Sequence, residues 1–466
     1  MVCTLQALFL YMKKTFFLLL LFACSFSNLQ AQNNTVVSGP LLGHIDLRTA
    51  KVWMQYKPGI NNIMLRYGVK GSNKSNFKTA FFYPELSMYH NIVVYELVGL
   101  EPGTSYEYNL VSANNIIIKS GELTTRQLWQ WRRTAPDFSF LTGSCAYFNE
   151  PVYDRPGKPY GNDSSIFEAM AKEKADFMLW LGDNWYTREA DFYSEWGLNE
   201  RPSRDRSLPV LQNFWKAMPH YAIWDDHDYG WNDADKSFPL KDASREAFKR
   251  FWNNPSYGEN GQGIYTQLNW NDVDIFMLDD RWFRSNDKMK DSIDGKPNAE
   301  KRMFGKQQME WLKNALLQSS ANFNINCRII ATGSQVLNPL SPNDCFRHFP
   351  AEYNELIQFI ADNKINGIIF LTGDRHTSEV IKIERPGAYP LYDITASPLT
   401  SGSHAFGGAE KNSPYRIMGI ENAQNYSRFS FSGDKKNRKL TVDFLGVKGE
   451  KLGEWSIALK DLSYPR

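Results

Sequence analysis

Five times along this 466-residue chain an apolar, strand-like run ends on a cluster of ionisable side chains, and this repeat constrains the fold more than any other feature. The runs lie at 137–141, 176–181, 220–223, 272–278 and 366–371. The clusters that follow are Gly143-Ser144-Cys145, Gly182-Asp183-Asn184-Trp185-Tyr186, Trp224-Asp225-Asp226-His227-Asp228, Asp279-Asp280-Arg281 and Gly373-Asp374-Arg375-His376. In α/β proteins, ligands bind beyond the carboxyl ends of strands. Five polar clusters in that position predict one assembled site, and thiol, carboxylate, phenol and imidazole together make a metal-ligand set.

Each cluster suggests a role. Gly182 permits a tight turn, and Asp183 then projects from a strand end with two oxygens able to bridge two metals. Taken alone, Asp183 reads as a turn-forming aspartate. Tyr186 can approach the same metal as a phenolate, a ligand that suits ferric iron. Four consecutive ionisable residues at 225–228 are costly unless exposed, paired or metal-bound. Within them Asp226 is a carboxylate donor, although Asp225 competes for that place. His227 can stabilise charge on a phosphoryl group or bond a leaving oxygen, and Asp228 can orient the imidazole. Asn232 adds a further oxygen ligand. Asp374 and His376 are two residues apart, so in an extended loop they share a side. Cys145 beside a metal would be a thiolate; away from one it would be a small buried hydrophobe. Arg281 and Arg284 can bind phosphate oxygens or pair with carboxylates.

The net charge of +2 gives no general argument for a nucleic-acid or acidic-membrane partner. The 14 tryptophans read as core before they read as a carbohydrate-stacking surface. Residues 1–32 read as a signal peptide: Lys13-Lys14, then an apolar stretch from Phe16 to Ala23 too short to span a bilayer. That predicts export to the periplasm, cell surface or medium, with a lipid anchor at Cys24 as the lesser alternative. Three cysteines remain after such processing. Cys145 is the free one, and Cys327 and Cys345 are either a disulfide or two buried thiols. From 35 to 126, short alternating segments separated by turns predict a small β-sandwich. After a linker at 127–136, strands alternate with helices expected at 164–174, 242–252, 306–317 and 353–362, and 429–459 returns to β.

In order, the motifs resemble the PhoD-like alkaline phosphatases, a branch of the calcineurin-like metallophosphoesterases. The matching elements are the clusters above together with Gly305-x-x-Gln308-x-x-Trp311-Leu312 and Gly333-Ser334-Gln335. Leu100-x-Pro102-Gly103-Thr104-x-Tyr106 and Gly121-x-Leu123-Thr124-Thr125 are similar to that family's N-terminal sandwich. The resemblance implies an α/β (α+β) fold, with a four-layer α/β/β/α domain over 137–460 behind the sandwich. It implies iron (Fe3+) at Cys145, Asp183, Tyr186 and His376, and calcium near Asp183, Asp226, Asn232 and Asp374; another divalent pair is the alternative. The expected activity is hydrolysis of small phosphate monoesters or diesters, with His227 and Arg281 acting on the phosphoryl group. A phospholipase D-like diesterase and a non-catalytic binding protein are the competing readings.

Overall fold

The computed structural model describes residues 35–60, 62–86, 90–342 and 344–465. The expected signal peptide and Cys24 lie outside them. No helix among the described residues is long and apolar enough to cross a membrane.

Between Val36 and Thr124 the chain forms two four-stranded antiparallel sheets. One orders Val36–Ile45, Thr49–Tyr56, Asn91–Val98 and Phe81–Leu86; the other orders Lys78–Thr79, Ile63–Val69, Ser105–Ser112 and Ile117–Thr124. Their inward residues, among them Val52, Leu65, Tyr95, Leu97, Tyr108 and Leu110, make a separate apolar core. This alternation is the sandwich pattern of the sequence. The sandwich is tied to the rest of the chain through aromatic and polar contacts. Trp53 donates its indole N–H to the Arg250 carbonyl at 2.9 Å, and Gln55 donates to Ser203 at 2.6 Å. The Arg206 guanidinium, fully buried, has only rings for company, lying 4.8, 4.7 and 4.3 Å from the ring centroids of Trp53, Trp215 and Trp252.

Two mixed sheets build the remainder. The six-stranded sheet places Phe138–Gly143, Phe177–Leu181 and His220–Ile223 side by side and parallel, then continues through Tyr426–Ser432, Lys439–Leu445 and Lys451–Ala458. The seven-stranded sheet carries Val273–Met277, Cys327–Thr332 and Ile368–Thr372 in parallel at its centre. Apart from Ser139 these parallel strands are buried along their whole length, which explains how apolar their runs are. Helices flank both sheets, so the expected α/β class with a β-sandwich in front is the observed one.

Three helix expectations hold with small boundary changes: Lys241–Phe251, Gly305–Ala321 and Pro350–Asp362. The fourth, expected from Ser164, shrinks to Ile166–Met170, with Ser165 in the capping position ahead of it. Cys327 and Cys345 are separate buried thiols, so the disulfide alternative falls.

Candidate metal centre

The two sheets abut at the ends of their parallel strands, and Gly373 marks the seam. A Cβ there would lie 2.6 Å from the Leu181 carbonyl oxygen and 2.8 Å from Ser144 Cβ. No side chain fits, so the loop after Ile368–Thr372 is drawn directly against the loops after Phe138–Gly143 and Phe177–Leu181. Cys145, Asp183 and His376 are brought together there. Their donor atoms all lie within 4.8 Å of one another, and all three residues are buried. The Tyr186 hydroxyl stands 3.3 Å from His376 Nε2, which puts the phenol on the same group.

A second group adjoins the first. Donor atoms of Asp183, Asp226 and His227 also lie within 4.8 Å of one another. Asp183 is common to both, as a bridging carboxylate must be. Asp374 and Asn232 line the same cleft, of about 730 Å3, but the Asp374 carboxylate belongs to neither group.

The backbone around these residues is strained. Cys145, Asp183, Asp374 and His376 have φ of 62°, 51°, 65° and 55°. Aspartate and histidine visit this left-handed region several times more often than other residues, but for cysteine it is unusual. Each such residue costs on the order of 1–3 kcal/mol, and strain of this kind collects at functional sites.

The electrostatics show what the groups lack. Burial pushes the Cys145 thiol up to about 12, with the Asp374 carboxylate adding to the shift. Burial, then Asp226 and Cys145, raise Asp183 well above the usual carboxylate range. Burial and Asp183 raise Tyr186, while burial and Asp344 bring Asp374 to about 7. Asp226 goes the other way: His227, Arg281 and the Asp233 N–H outweigh its burial. These buried acids obstruct one another's ionisation, and a cation among them would reverse that. Sulfur, nitrogen, phenol and carboxylate donors fit a transition metal, and the neighbouring oxygens fit a harder ion. The residues present therefore fit the implied pair of metals.

Two expected roles are corrected. Arg281 is fully buried and does not line the cleft. Its guanidinium closes on Asp225 and reaches Asp344 at 3.4 Å, so it is paired with carboxylates and not aimed at a phosphate. Arg284 is likewise taken, by Asp344 and Asp287. With Asp225 held by Arg281, Asp226 is the carboxylate that faces the cleft. Asp228 does not orient His227. Its oxygens accept the backbone N–H of Asn184 at 2.9 Å and of Asp225 at 3.0 Å, shaping the loop instead. His227 is fixed by its own backbone, whose N–H donates to Asp183 at 3.3 Å, and by the Tyr186 ring 4.2 Å away. Its Nδ1 is buried without a hydrogen-bond partner.

Some contributors carry no motif. Ser397 Oγ donates to Cys145 Sγ at 3.2 Å and accepts the His376 N–H at 2.9 Å. Tyr160 bonds His376 Nδ1 at 3.2 Å, and the His404 ring stacks on His376 at 5.2 Å.

Comparison with known proteins bears on the family and the fold. A family model described as PhoD-like phosphatase matches residues 140–443, more than half of the chain. Alkaline phosphatase D of Bacillus subtilis (strain 168) is 27% identical over 331 residues, covering 63% of this chain and 54% of that protein, so the match spans about half of the relative's length. A solved structure described as that of PhoD superposes with a TM-score of 0.69 at 19% identity, covering 91% of this chain and 89% of that one, and it supports the fold. With a matched span that runs from the strand before Cys145 into the strand Lys439–Leu445, the chain belongs to the PhoD-like phosphatase family.

Proposed function

We propose that the protein is an exported, metal-dependent hydrolase of phosphate monoesters and diesters. The observation that carries this reading is the Asp183 carboxylate shared by two adjacent donor groups at the base of one cleft. Cys145, Asp183, Tyr186 and His376 would hold ferric iron. Asp183 and Asp226, with Asn232 and Asp374 nearby, would hold calcium. When bound, such ions supply Lewis acidity and a nucleophile at neutral pH.

The chain's own groups do the rest. The buried, unpartnered His227 Nδ1 leaves that imidazole free to direct a proton or a partial charge toward a departing oxygen. Lys288 lines the cleft and supplies positive charge toward an anionic ester, while Arg375, also in the wall, is paired with Glu410 at 2.7 Å. Arg281 maintains the loop that carries Asp226. Small phosphate esters are the expected partners, with nucleic acid entering only as substrate, and residues 1–32 would direct export.

The test is metal analysis of protein purified without added metal, with turnover measured on a monoester, a diester and a phospholipid. Iron and a second metal, with hydrolysis of the first two substrates, are expected. Hydrolysis of the phospholipid alone would favour a lipid diesterase, and metal-free protein without turnover would favour a binding role.

A further inference from the structure

A second cavity, of about 430 Å3, adjoins the metal cleft. Tyr160, His227 and Asn232 line both, so the two spaces meet at the imidazole. The walls of the second differ from those of the first. The rings of Tyr147, Tyr160 and Tyr186 cluster with centroids 5.0, 5.0 and 6.3 Å apart. Phe192 and Trp231 add an edge-on pair at 6.4 Å. Tyr193, 73% exposed, packs on Phe192 at 4.7 Å and continues the aromatic surface outward.

Four of the charged groups here are already engaged, and the fifth, Lys158, is exposed. Arg188 lies over the Tyr147 ring at 4.1 Å and pairs with Asp154 at 3.0 Å, while Arg155 and Glu189 pair at the rim at 3.2 Å. A space walled by rings, with both arginines paired to carboxylates, suits a flat apolar group better than a second phosphate.

We propose that this cavity receives the organic part of the ester, and that the preferred substrates carry an aromatic ring on the leaving alcohol. This rests on the phosphoester-hydrolase reading above. A phosphoryl group in the metal cleft would place its leaving oxygen near His227, and the alcohol would then extend past the imidazole into the second cavity. Ring stacking there would contribute to binding without altering the chemistry at phosphorus.

The experiment compares 2-phenylethyl phosphate with butyl phosphate, whose leaving alcohols differ little in acidity. The purified metal-loaded protein should show kcat/KM about tenfold or more higher for the phenylethyl ester, the scale expected when a benzene ring leaves water. The difference should appear mainly in KM. Phenylphosphonate should inhibit butyl phosphate hydrolysis more tightly than methylphosphonate by a similar factor, a comparison that needs no variant. Trp231→Ala should bring both ratios toward one. Equal kcat/KM for the two esters, with equal inhibition by the two phosphonates, would overturn the subsite alone. Turnover of neither ester would overturn the hydrolase reading and the subsite with it.

Discussion

The Nη2 of Arg281 lies 2.5 Å from the Oδ1 of Asp225, and neither side chain is exposed to solvent. Burying such a pair gains little over apolar packing, but breaking it leaves a charge stranded in the interior. Asp225 directly precedes the carboxylate and the imidazole that face the cleft, so this pair sets the loop from behind.

Arg281→Met should therefore destabilise the fold by about 3–5 kcal/mol, the cost of leaving one buried partner alone. Denaturant unfolding of the metal-loaded protein would measure it. A variant of normal stability with a raised KM would mean that Arg281 touches substrate after all.

Asp183 and His227 should separate metal assembly from turnover. Asp183→Asn should lose metal and activity together, because no other carboxylate serves both donor groups. His227→Ala should keep most metal and lose about a hundredfold or more in rate, the usual scale for a charge-stabilising donor or a general acid. Metal analysis beside kinetics on monoester and diester reads both. Near-normal turnover by His227→Ala would reduce the residue to packing against Tyr186.

The phenol at Tyr186 predicts colour. Iron-loaded protein should show a visible charge-transfer band, and Tyr186→Phe should shift or abolish it. A colourless, iron-free and fully active preparation would remove iron from the account and leave another divalent pair in its place.

Acid should find a weak point far from the metals. His220 accepts the Trp180 indole N–H at Nδ1 (3.1 Å), and its Nε2 bonds the Phe214 carbonyl at 3.0 Å. Protonating Nδ1 would set two N–H groups against each other, and burial brings this histidine down to about 3. The unfolded chain, with an ordinary value near 6.5, then binds the extra proton first. Stability from this residue is intact above about pH 6.5 and falls by about 1.4 kcal/mol per unit as the pH drops toward 3. Asp228, raised to about 8 by burial, works in the opposite sense between its unfolded value and that pH, so the useful quantity is a difference. Unfolding of wild type and His220→Gln at pH 8, 6.5 and 5 should show the variant with the shallower acid loss. Parallel curves would refute the assignment.

The sequence made the five strand-end clusters legible because each couples a buried parallel strand, rich in apolar residues, to side chains that are costly to bury. It did not reveal the helix Glu195–Arg206, and the reason is physical. That helix has no apolar stripe and contains Pro202; its buried face includes Asn199, Arg201, Ser203 and Asp205. It is held by ion pairs such as Arg201 with Asp191 at 2.7 Å and Glu150 at 2.6 Å, which no hydrophobic periodicity announces. Ser397 and Tyr160 were equally hidden, since they reach the site by long-range packing from loops without a motif. Arg281 and Asp228 were noticed but misread. Spacing can show that a charged residue is near a site without showing which way its side chain turns.

The close approach at Gly373 has a consequence for the order of events in the life of the chain. The first donor group draws on both sheets: Cys145 and Asp183 come from one, His376 from the other. That group therefore does not exist until the chain has been made past residue 376 and the two sheets have closed on each other. Whatever ion it takes, that ion can be held only once folding has brought the two sheets together.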